Sequence, residues 1–231
     1  MSQRNNIHMG HRERLKERFL LEGLDNFNEI NVLELLLFYC VQRKDTNPLA
    51  HRLLDHFGSL SDVLNASADE LMKVDGVTQH IAVFLSLQSY LNRYYLVQQN
   101  TKITALLTTE DCCRYLTPFF KGRKKETVFL LCLDAKCKVL GCKIVCEGGV
   151  NSADLSIRKI VETAINANAS SVILAHNHPS GVAIPSADDV QTTVRIAHAL
   201  QLMDIILADH IVVADDDAVS MVQSGYLIAG K

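Results

Sequence analysis

Two kinds of apolar periodicity divide this chain. Up to about residue 98, apolar positions recur every three or four residues; beyond about residue 105, short apolar runs alternate with amphipathic stretches. In the first part, His11–Glu22 carries Leu15 and Phe19 at helical spacing, opposite a face that mixes Arg12, Arg14, Lys16 and Arg18 with Glu13 and Glu17. Residues 1 to about 10, upstream of it, are polar and expected to be poorly ordered. Ile30–Cys40 is apolar nearly all round, which predicts a buried helix. Asn47-Pro48 predicts the start of a third helix, with Asn as cap and Pro at the first helical position, ending at Gly58. Ser67-Ala68-Asp69-Glu70 has the form of a capping box opening a short helix, and a last helix runs through Leu85, Leu87, Tyr90 and Leu91 to about Val97. Residues 1–98 thus read as a small all-α domain. The polar run Gln98–Lys102 suggests a linker, placed at residues 99–104.

From 105 to 231 the pattern is that of an α/β domain. Glu110–Phe120 predicts a helix and Lys121–Lys125 a basic, solvated turn. Thr127–Leu133 is apolar on both faces, as in a central strand. Asp134-Ala135-Lys136 turns the chain into a strand over Cys137–Cys146, which Gly148-Gly149 breaks. Ile157–Asn168 predicts a helix returning to a buried strand at Ser171-Val172-Ile173-Leu174. After a helix beginning near Ser186 come Ile205-Ile206-Leu207 and a hairpin of Ile211–Ala214 and Val219–Val222 around Asp215-Asp216-Asp217. That acidic turn lacks the ligand spacing of a calcium loop.

Composition narrows the class. With 231 residues, 48% of them hydrophobic, the chain can bury two modest cores. A net charge of −3 makes the protein no general magnet for nucleic acid, so any DNA contact must be local. No run approaches the roughly 18 apolar residues of a membrane span, and the polar start does not read as a signal peptide. The seven cysteines (Cys40, Cys112, Cys113, Cys132, Cys137, Cys142, Cys146) include no Cys-x-x-Cys pair, which argues for reduced thiols and a cytoplasmic protein.

Chemistry concentrates in Ala175-His176-Asn177-His178-Pro179-Ser180-Gly181, followed by Ser186 and Asp189. Histidines two apart at the end of a strand project to the same side. A Pro/Gly turn then leads into a helix whose first turn holds Asp189. Two imidazoles and a carboxylate form a donor set suited to Zn²⁺, and three protein ligands leave a fourth position for water, the catalytic pattern. The plainer reading, a helix cap at Ser186 with an acidic N3 residue, is compatible with it. A base for the water is needed, and the order of residues alone leaves Glu126, Glu147 and Glu162 open. His8, His11, His51, His56, His80 and His198 lack ligand spacing.

The string His176–Gly181, with Pro185-Ser186 and Asp189, resembles the JAMM (MPN+) metalloprotease signature, and its RadC branch in particular. Asp209-His210-Ile211-Val212-Val213 is similar to that branch as well, and the resemblance extends over nearly the whole chain. It implies a JAMM/MPN, cytidine-deaminase-like fold: a mixed sheet flanked by helices, behind a small helical domain. It also implies one Zn²⁺ per chain on His176, His178 and Asp189, with Glu126 as base for the zinc-bound water and Ser186 stabilising the oxyanion. The reaction would be hydrolysis of an amide or isopeptide bond in a peptide or protein. Asp209 and His210 are read as a carboxylate–imidazole pair orienting the site. A zinc deaminase is excluded, because His178 stands where that class needs Glu and no Pro-Cys-x-x-Cys occurs. The other class of function is a DNA-binding accessory protein of repair or recombination. It rests on Val74–Ala82, which resembles a helix-hairpin-helix with Gly76, Val77 and Thr78 at the contact turn, Thr78 replacing the second glycine. Oligomeric state is not legible.

Overall fold

The computed structural model describes residues 3–42, 44–100, 103–148 and 155–228, with the side chains of residues 3–9, His8 included, outside that description. Met1 and Ser2 of the polar start, Thr101 and Lys102 of the expected linker, Gly149 of the expected glycine break and residues 229–231 also lie outside it. Contacts divide the chain into two compact units, Met1–Asn92 and Arg93–Lys231.

The first unit is helical: α1 (Gln3–Glu22), α2 (Glu29–Cys40), α3 (Asn47–Phe57), α4 (Leu60–Asn65), α5 (Ala68–Leu71) and the start of α6 (Gln79–Asn100). Helix α1 starts well before His11, because nothing between Gln3 and Gly10 forbids helical backbone except one glycine. Helix α3 begins one residue earlier than expected: Thr46 holds the cap position, while Asn47 is inside and its N–H meets the Asp45 carboxylate at 3.0 Å. The capping box at Ser67 and Glu70 forms as expected. The unexpected α4 is capped by Ser59, whose side chain accepts from Asp62 N–H at 3.1 Å. Helix α6 winds on through Gln98–Asn100, where no Gly or Pro stops it. Leu33, Leu37, Leu53, Val63, Leu71, Ala82 and Leu85 are fully buried and form this unit's core.

The second unit is a five-stranded mixed sheet in the order β2-β1-β3-β4-β5. Its strands are β1 (Thr127–Leu133), β2 (Val139–Glu147), β3 (Ser171–Asn177), β4 (Ile206–Ala214) and β5 (Asp217–Ser220). Only β3 and β4 run parallel, joined by the crossover helix α9 (Ala187–Gln201); the other pairs are antiparallel. Helices α8 (Ile157–Asn166) and α9 cover one face, packing Ile160, Ile196 and Leu200 on Val128, Leu130, Val172 and Leu174. Helix α7 (Thr109–Phe120) covers the other, packing Leu116 and Phe120 on Phe129, Leu131, Ile173 and Ile211.

Several boundaries differ from the pattern: β3 runs on to Asn177, and β5 spans Asp217–Ser220 rather than Val219–Val222. Strand β2 begins at Val139, because the turn needs Cys137 at φ 57° and the Asp134 carboxylate binds the N–H groups of Lys136 (2.8 Å) and Lys138 (2.9 Å). Helix α8 stops at Asn166, with Asn168 left-handed at φ 51°. The separate pieces Ile205–Leu207 and Ile211–Ala214 are one strand, β4; the intervening polar Asp209 and His210 broke the apolar pattern yet are buried with hydrogen-bond partners. The seven cysteines are free.

Candidate metal centre

Strand alternation sorts the site. Val128 pairs with His176 across β1 and β3, and Leu174 pairs with His210 across β3 and β4, so both histidines face α8 and α9. Glu126 immediately precedes β1, its carbonyl held by Gly148 N–H at 2.8 Å. It has the same parity as Val128. The ligand atoms of Glu126, His176, His178 and Asp189 all lie within 4.8 Å of one another.

The side chains of His178 and Asp189 are fixed from behind. His178 Nδ1 lies 2.9 Å from the Val182 carbonyl, which can only accept; Nδ1 therefore carries the proton and Nε2 is free to ligate. The His178 ring meets the His176 ring edge-on, with the two Nε2 atoms 2.9 Å apart. Asp189 is buried in the first turn of α9, where its Oδ2 closes the capping box with Ser186 N–H (2.8 Å) and Ser186 Oγ (2.6 Å). The same Oδ2 is 3.5 Å from His178 Nε2 and 3.7 Å from His176 Nε2. The cap and the site thus use one carboxylate.

These spacings fit a small divalent cation. Four tetrahedral bonds of about 2.0–2.1 Å place ligand atoms about 3.4 Å apart. The observed 2.9, 3.5 and 3.7 Å bracket that value. Burial pushes the His176 imidazole down to about 4, with His178 adding to the drop and the Asp189 charge opposing it. Burial also holds His210 well below the usual histidine range. Neutral imidazoles are what a metal requires.

The expected pairing of Asp209 with the His210 ring does not form. Adjacent strand residues point to opposite faces, so Asp209 lies on the α7 side. There its carboxylate accepts from His210 N–H (2.7 Å), Val222 N–H (3.1 Å) and the Ser220 hydroxyl. Burial raises its pKa, against the lowering effect of those bonds. The His210 ring instead meets His176 Nδ1 through Nε2 (2.7 Å) and Thr193 Oγ1 through Nδ1 (2.6 Å). Thr193 belongs to no motif in the sequence, although it stands four residues after Asp189 and hence on the same helix face. Asn177, between the two histidines, carries no ligand signal either. Its Oδ1 accepts from Thr127 N–H at 2.8 Å, and its Nδ2 donates to Lys125 O at 3.3 Å, fastening the backbone on both sides of Glu126.

Gly76, Val77 and Thr78 belong to the helical unit, at the turn before α6. Gly76 has φ 88° and Thr78 Oγ1 accepts from Ile81 N–H at 3.4 Å, so threonine caps the helix at the place of the second glycine. Arg52 donates to the Asp75 carbonyl at 3.0 Å beside this turn. No described helix is long and apolar enough to cross a membrane.

A mixed sheet between helices, with a strand-end His-x-His, a helix-start Asp and a nearby Glu, defines an α/β domain with a group of side chains able to hold a metal ion. The RadC-like JAB domain family matches residues 106–226, and the UPF0758 N-terminal family matches residues 7–83. A UPF0758 protein of Fusobacterium nucleatum subsp. nucleatum is 35% identical, over 98% of this chain and 100% of its own length. One from Aliivibrio fischeri (strain MJ11) is 35% identical and one from Aliivibrio salmonicida 34%, each over 93% of this chain and 96% of its own. The chain belongs to the RadC-like UPF0758 family.

Proposed function

We propose that the protein is a zinc-dependent hydrolase of peptidase or isopeptidase type, acting on an amide bond of a peptide or protein. The observation that carries this is the convergence of Glu126, His176, His178 and Asp189 ligand atoms within 4.8 Å, with the His178 proton already committed elsewhere. His176, His178 and Asp189 would hold the ion; two nitrogens and one oxygen suit Zn²⁺. A bound zinc supplies polarisation of the amide carbonyl and lowers the pKa of a water towards about 7.

Glu126 then works as the base. Its carboxylate takes a proton from the attacking water as the water oxygen bonds to the carbonyl carbon. It returns that proton to the amide nitrogen as the C–N bond breaks, leaving a carboxyl group and a free amine. The Ser186 hydroxyl donates to Asp189 in the resting site, so stabilising an oxyanion requires it to turn from that carboxylate towards substrate. Metal analysis of the full-length protein should find about one zinc per chain. Glu126→Gln should retain zinc yet cleave nothing in a peptide-library screen that wild type cleaves. Wild type without zinc, or a Gln variant of undiminished activity, would refute the reading.

A second reading is DNA contact at Gly76–Thr78, with a role as an accessory protein in repair or recombination. It draws support from the α6 amino terminus with Arg52 beside it, and from nothing in the metal domain. Duplex titration at two salt concentrations tests it: a clear salt slope is expected, and absence of binding at low salt ends it.

A further inference from the structure

We infer that Thr193 and His210 form a one-way hydrogen-bond wire that fixes His176 as its Nδ1–H tautomer, holding Nε2 open as a metal ligand. What Nε2 is for rests on the zinc reading; the polarity of the wire does not.

The direction follows from one short contact. Thr193 Oγ1 lies 2.5 Å from the Asp189 carbonyl oxygen one helical turn back. A carbonyl only accepts, and two oxygens at that separation repel unless a proton lies between them, so the single threonine proton is committed there. Thr193 Oγ1 then has only lone pairs to offer His210 Nδ1 at 2.6 Å, and that nitrogen must carry the proton. A neutral imidazole has one N–H, so His210 Nε2 is an acceptor. It stands 2.7 Å from His176 Nδ1, which must therefore donate. His176 Nε2 is left with a bare lone pair 2.9 Å from the equally bare His178 Nε2 and 3.7 Å from Asp189 Oδ2, a contact between lone pairs that a shared cation would relieve.

Every member is sealed from water: Thr193, His176 and His210 are each 0% exposed. No solvent molecule can offer a substitute proton and relax the order. The opposite polarity would place a proton between His176 Nε2 and His178 Nε2, but it would leave the Thr193 and Asp189 oxygens, closer at 2.5 Å, in unmediated contact. The wire also joins β3 to α9, since it starts at one proposed ligand and ends on the backbone of another. Thr193 and His210 are positioning residues in this scheme, acting through His176.

Two variants separate this role from simple packing. Thr193→Val keeps the shape and removes the hydroxyl; Thr193→Ser keeps the hydroxyl and trims a methyl. In ¹⁵N-labelled, metal-free, full-length wild type, imidazole ¹H–¹⁵N spectra should show Nδ1–H for both His176 and His210. In Thr193→Val the two rings should lose the single tautomer, and zinc affinity measured against a competing chelator should fall about 10–100-fold. Thr193→Ser should restore both readouts to near wild type. An Nε2–H tautomer at His176 in wild type, or unchanged tautomer and zinc affinity in a folded Thr193→Val, would overturn the proposal. Should the valine variant fail to fold, the wild-type spectrum alone decides. A wild type that takes up no zinc but shows the Nδ1–H pattern would end the hydrolase reading and leave the wire standing.

Discussion

The two faces of the sheet bury polar side chains to opposite ends. Under α7, Asn177 and Asp209 bond mainly to backbone: Asn177 to Thr127 and Lys125, Asp209 to His210 and Val222, with the Ser220 hydroxyl added. Those bonds close locally and leave nothing pointing at a common centre. Under α8 and α9, His176, His210, Thr193 and Asp189 bond to one another in series, and the surplus lone pairs converge on one spot. Both faces satisfy the demand that buried polar groups find partners. The difference teaches that burial alone does not mark a functional residue. What marks it is a set of buried groups whose remaining acceptors share a target.

The comparison breaks most visibly through the ligands. His176→Ala should take zinc from about one per chain to near zero, by metal analysis. Glu126→Gln should keep the metal and lower turnover at least 100-fold, the lower end of about 10²–10⁴ for a lost general base. On the other face, Asp209→Ala strands two backbone N–H groups and should cost about 2–3 kcal/mol, read as a lower urea midpoint at unchanged slope. Its folded fraction should still bind zinc; loss of zinc from a stable Asp209→Ala would erase the distinction between the faces. Asn177→Ala should cost about 1–3 kcal/mol and lower kcat with zinc retained, because the backbone flanking Glu126 loses its anchor.

The faces should also answer pH with opposite sign in the metal-free protein. His176 is held down to about 4 by burial, against about 6.5 unfolded. As pH falls from 6.5 towards 4 the unfolded chain takes up protons that the native state refuses, and stability drops. Asp209 is raised by burial, so just above its unfolded value of 3.8 the native state holds a proton the unfolded state has released. Its contribution therefore grows as pH falls through that window, and declines as pH rises. Each slope is at most about 1.4 kcal/mol per pH unit. Urea midpoints from pH 7 to 4 should show the histidine loss, and Asp209→Asn should remove the opposing gain. The smallest effect on stability is Ser186→Ala, about 1 kcal/mol for the lost cap, read as a lower urea midpoint.

The alternation and spacing of residues along the chain determined most of the architecture. Thr127–Leu133 and Ser171–Leu174 are β because their apolar runs are short and bounded by turns. Ser67 and Ser186 start helices because hydroxyl and acidic residue stand three apart. His176, His178 and Asp189 were legible for the same local reason, lying within one strand–turn–helix segment. Tertiary structure alone decided what crosses between strands. It sent Asp209 away from His210, joined Ile206–Ala214 into one strand through its polar middle, and made Thr193 and Asn177 partners of the site. Periodicity reports which residues share a face of their own element; which lone pairs meet depends on register between elements distant in sequence, and no local pattern encodes that.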